Sequence, residues 1–74
     1  MDNKEDILER IDKGIVMEED AVIFYAKQIE SYIPESYFSE EQQKKVIKLL
    51  EVLKNQSEAH KKNLEVLRKK VENA

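Results

Sequence analysis

Three side chains able to do chemistry stand where apolar ones belong: Glu18, Ser57 and His60, the last being the chain's only histidine. Leu8, Ile11, Ile15, Glu18, Val22, Tyr25, Ile29 and Tyr32 follow one another at alternating steps of three and four. That is the spacing of the stripe one helix turns toward another. Val46, Leu50, Leu53, Ser57, His60, Leu64, Leu67 and Val71 repeat it in the second half, so each stripe is polar at its middle and the histidine is expected to point inward. An interior carboxylate and imidazole are costly unless paired or coordinated. Their convergence reads either as a metal site or as a Glu18 to His60 pair that fixes helix register.

The elements that must position these groups are two long helices. Asp2 or Asn3 can cap the first, with Glu5 and Asp6 in its opening turn where the helix dipole favours acids. Pro34 disfavours helix at the residue before it, which sets the first helix at about 3–33 and the turn at 34–39. Ser39-Glu40-Glu41-Gln42 reads as a capping box that starts a second helix over about 40–72. Tyr37 and Phe38 are expected to fold back over the end of the helix pair. Gly14, one turn before Glu18, marks a close approach, a local bulge, or a merely tolerated glycine costing about 1 kcal/mol relative to alanine. Two antiparallel helices of this length make a hairpin roughly 45 Å long at ~1.5 Å per residue, and Glu18, Ser57 and His60 then lie within about 8 Å of one level.

Composition narrows the class. Charged residues are 39% of the 74 and hydrophobic ones 41%, with one glycine and one proline, which points to an all-α chain of long amphipathic helices in a single domain. There is no cysteine, so disulfides and thiolate metal sites are excluded. A net charge of -3 with interspersed signs offers no basic stripe for nucleic acid. The cluster Lys61, Lys62, Arg68, Lys69 and Lys70 reads as the solvated cationic end of a helix rather than a binding patch. No apolar run is long enough to span a bilayer, and the acidic first residues do not suit a signal peptide, so the expected location is the cytoplasm.

So short a hairpin cannot hide both stripes together with Ile7, Val16, Ala21, Ile23, Phe24, Ile47, Leu49 and Val52. A homodimer that closes into a four-helix bundle would. Met17 and Phe24 fall off the main stripe; they are edge packing or a second surface that builds a higher oligomer.

The segment from Glu18 to Tyr25 resembles the first-helix motif of rubrerythrin and other ferritin-like proteins, in which a glutamate seven residues before a tyrosine is an iron ligand. Asn55-Gln56-Ser57-Glu58-Ala59-His60, with Leu64 and Leu67 beyond it, is similar to the second-helix motif that ends in Glu-x-x-His. His60 fills the histidine position, while Ser57 stands where the family has glutamate. The half-length chain looks most like the encapsulated ferritin-like proteins, whose hairpins pair around one di-iron centre. The resemblance implies a ferritin-like bundle, Glu18 and His60 as metal ligands, iron oxidation, and enclosure by a shell protein. It also implies that Tyr25 donates a hydrogen bond behind the ligands; read from the residues alone, Tyr25 is equally an interior aromatic whose hydroxyl reaches a partner.

Ser57 weakens the di-iron expectation. Two Fe(II) ions bring four positive charges, and the two Glu18 side chains of a dimer balance only two of them. Gln56 and Ser57 are weak ligands, and Glu19, Asp20 and Glu58 are rotated away by about 100 to 200 degrees. Two glutamates and two histidines suit a single divalent ion, iron with added water or zinc. The sequence therefore predicts a ferritin-like metal-binding hairpin with di-iron oxidation reduced or lost. The alternative is a non-catalytic interaction or oligomerisation module in which Glu18 and His60 only fix dimer register. A hydrolase is set aside, because one serine and one histidine on a single helix give no oriented triad.

Overall fold

The computed structural model of the chain describes residues 3–32 and 38–74, which form an all-helical hairpin. Helix α1 spans Asn3–Lys27 and continues into a π-helical turn over Gln28–Tyr32; helix α2 spans Glu40–Glu72. The sequence predicts α-helix through the end of this first segment, and the wider turn is the difference. Pro34 has no N–H to return to the Glu30 carbonyl, so the α-helical hydrogen bond at that step is not available. The expected stop at Pro34 and the placement of Tyr37 lie outside the described residues. Phe38 remains exposed.

α2 starts where its chemistry dictates. Ser39 is in extended geometry as N-cap, its hydroxyl accepts from the Gln42 N–H at 3.2 Å, and the Gln42 side chain accepts from the Ser39 N–H at 3.1 Å. At the other end Lys69 and Lys70 occupy the last turn, complementing the dipole. Lys4 of α1 donates to the carbonyls of Glu72 at 2.8 Å and Ala74 at 3.3 Å, which ties the first turn of α1 to the last of α2.

The molecule is a rod of 55 × 16 × 12 Å with a radius of gyration of 16.8 Å, against about 11 Å for a compact chain of this length. Two helices side by side enclose little. Among the described residues Ile11, 6% exposed, is the one buried apolar side chain, and Ser57, 8% exposed, is its polar counterpart. Met17, Phe24, Val16, Ile23, Leu49 and Val66 are all more than half exposed. Met17 and Phe24 are thus not packed at the edge of this helix pair. No helix among the described residues is long and apolar enough to cross a membrane.

Gly14 resolves into a close approach. α1 runs through it without a bulge, and a Cβ at that position would lie 3.2 Å from Leu64 Cδ1 on α2.

Candidate functional site

Residues on α1 and α2 meet in an antiparallel register that brings Glu18 level with His60. Glu18 Oε1 lies 3.6 Å from His60 Nδ1, too long for a hydrogen bond and within reach of an ion pair when the imidazole is protonated. The carboxylate sits between the helices with 26% of its side chain exposed; the imidazole is 63% exposed. His60, expected inside the stripe of α2, therefore stands at its edge in the hairpin, and Leu67 one heptad further on is exposed with it.

The reason is visible in the next residues along. Lys61 and Arg68 take half-buried places against α1, where Lys61 pairs with Glu19 at 3.6 Å. Arg68 Nε donates to Asp12 Oδ1 at 2.6 Å, Arg68 Nη2 donates to Asp12 Oδ2 at 3.3 Å, and a third nitrogen pairs with Glu72 one turn along. Turning α2 by about half a residue step, roughly 50 degrees, keeps Leu50, Ser57, Leu64 and Val71 toward α1 and exchanges His60 and Leu67 for these two cations. The hydrogen bond from Arg68 holds the Asp12 carboxyl below its ordinary range against a smaller opposing effect of desolvation, and Arg68 is correspondingly pushed up, first by that same bond. Acids at positions 5, 12 and 19 and bases at 54, 61 and 68 repeat every seven residues, and that repeat is the signal in the sequence for this row.

Ser57 is buried one turn from His60, and no sealed side-chain oxygen or nitrogen among the described residues lacks a hydrogen-bond partner. Gln56 faces solvent. Tyr25, half-buried two turns beyond Glu18, meets Phe24 edge-on with ring centres 5.7 Å apart. Of the residues singled out from the sequence, Glu18 and His60 come together, and Ser57 lies in the seam beside them. Among the described residues of one chain, no group of three or more His, Cys, Asp or Glu side chains could hold a metal ion. Within one hairpin Glu18 and His60 provide two ligands.

An open groove of about 390 Å³ runs along the ion-paired edge, lined by Glu19, Val22, Ile23, Glu58, Lys61 and neighbouring charges. It includes neither Glu18 nor His60. Its charges are of both signs, so it selects no ligand by charge. No family model, curated protein or solved structure matches the chain.

Proposed function

We propose that two copies of this hairpin hold one divalent metal ion, iron or zinc, between their Glu18 carboxylates and His60 imidazoles. The observation that carries the proposal is the 3.6 Å approach of Glu18 to His60 from separate helices, with the imidazole left open on one side. One chain supplies two ligands; a two-fold pair supplies four, the number a tetrahedral zinc site uses. Both ligand types also suit iron with water completing the shell. The buried hydroxyl of Ser57 brings no charge, so the set neutralises one divalent ion and not two. On this reading the protein is ferritin-like in architecture, binds about one metal per dimer, and has little or no di-iron oxidation. Enclosure by a shell protein belongs to the same reading through the resemblance alone.

A second reading is favoured by the same contact. A carboxylate and an imidazole on opposite helices at one level are what a register-setting pair needs, with no metal involved. The protein is then a non-catalytic oligomerisation module.

Native mass measurement separates the two. Metal-free protein titrated anaerobically with Fe(II), and separately with Zn(II), is expected to give a dimer with one ion, absent from Glu18→Gln and His60→Leu. A dimer that takes up no metal overturns the first reading in favour of the second. Two tightly held irons with rapid oxygen consumption would show the charge argument to be wrong.

A further inference from the structure

We propose that the second copy covers one particular edge of the hairpin, the one bearing Leu49, Leu53, His60 and Leu67 of α2, with the two α2 helices antiparallel about a dyad at His60. The inference rests on the reading that the hairpin works as a pair, and is independent of the metal.

A helical hairpin has two edges, and here they differ in kind. One carries Asp12 with Arg68 and Glu19 with Lys61, and Glu58, Lys62 and Glu65 crowd its rim. Covering it would desolvate those charges without new partners. Stepping back by about 100 degrees from Lys61 and Arg68 reaches His60 and Leu67, on the opposite edge. The rows there are Ile7, Gly14 and Ala21 on α1 and Leu49, Leu53, Gln56, His60, Asn63 and Leu67 on α2, with Lys70 at one end as their single fixed charge. Leu49 is 58% exposed, and Ile7 and Leu67 are each 45% exposed.

The area to be covered fits one further copy. The chain exposes 6078 Å², whereas a compact chain of 8.8 kDa exposes about 4,800 Å² by the usual scaling with mass. The surplus of about 1,300 Å² is the size of a stable interface, which takes about 800 Å² or more from each partner.

The α2 row is self-complementary. Leu53 and Leu67 stand one heptad either side of His60, and Leu49 and Val71 stand symmetrically beyond them. A dyad at His60 sets Leu53 against Leu67 of the partner subunit and the imidazoles against each other, as an isologous interface requires. The exposure of His60 in one hairpin is then the site waiting for its other half. Val16, Met17, Ile23 and Phe24 lie on the outward side of α1 and are left out of this contact.

The chain has no cysteine, which makes disulfide trapping clean. Leu53→Cys/Leu67→Cys, oxidised mildly in the presence of a chelator, is expected to form a covalent dimer on the order of a hundred-fold faster than Val52→Cys/Val66→Cys, whose positions are both exposed but lie away from this edge. Leu53→Cys alone is expected to stay uncrosslinked, since the two copies of residue 53 would be about 21 Å apart along the helices. Equal rates in the two double variants, or a monomer by native mass, overturn the proposal. Rapid crosslinking of the single variant would overturn the dyad. A correctly trapped dimer that binds no metal sinks only the metal reading of the site, not this interface.

Discussion

Arg68 on α2 grips Asp12 on α1 with two nitrogens, Nε at 2.6 Å and Nη2 at 3.3 Å from separate carboxylate oxygens. This two-pronged contact, with Glu19 and Lys61 two turns along, fixes the rotation of α2 and so decides which face of it His60 occupies. Its pH dependence follows from the lowered Asp12 pKa, whose first cause is the Arg68 hydrogen bond. A carboxyl depressed in the folded state stabilises above its unfolded pKa and loses that contribution as pH falls through the folded value. Asp12→Asn is therefore expected to lower the urea midpoint at neutral pH, and the gap from wild type should close below about pH 4. A gap that persists undiminished at pH 2 would show that the ionised pair is not its source.

Gly14 faces two opposed effects. Alanine there gains about 1 kcal/mol of helix propensity and meets Leu64 Cδ1 at 3.2 Å, so Leu64 must give by a few tenths of an ångström. Gly14→Ala is expected within about 0.5 kcal/mol of wild type, and Gly14→Val to lose about 1–3 kcal/mol by overpacking. Denaturant melts of both variants check this, and a well-tolerated valine would mean the helices separate easily at this level.

The start of α2 depends on one hydroxyl. Ser39→Ala removes the acceptor for the Gln42 N–H and is expected to cost about 1 kcal/mol, while Ser39→Gly should cost only a few tenths. Chemical denaturation at a fixed protein concentration is the measurement, because a dimer's apparent stability varies with concentration.

His60 distinguishes metal from register through stability. If the site binds metal, Zn(II) at about a hundred times its dissociation constant stabilises the wild type by roughly 2.7 kcal/mol and leaves His60→Leu unmoved. Metal-free His60→Leu is expected to be as stable as wild type or more so, since leucine suits the apolar edge better than an imidazole. Thermal melts with and without metal report both numbers, and equal stabilisation of the two proteins would remove His60 from the site.

Met17, 71% exposed, tests whether anything covers the outward side of α1. Met17→Lys is expected to change stability by less than about 0.5 kcal/mol and leave a dimer's mass unaltered. A larger assembly that this substitution splits into dimers would make the outward side a second contact surface.

Much of this molecule could be read from local pattern. Ser39 and Gln42 announce the start of α2 because a capping box involves only neighbours in the chain, and two apolar stripes with a single proline between them announce two helices and a turn. Even the levelling of Glu18 with His60 follows from a fixed rise per residue. What the tertiary structure alone decided is rotation. A stripe with polar residues at its middle tolerates a turn of about half a residue step, and only the contact of Asp12 with Arg68 and Glu19 with Lys61 shows that α2 presents its cations to α1. That choice depends on the phases of both helices at once, which no window along one of them contains. It leaves His60 and Leu67 at the open edge and Ser57 sealed within, because a charge paired across the seam settles the orientation that hydrophobic spacing leaves free.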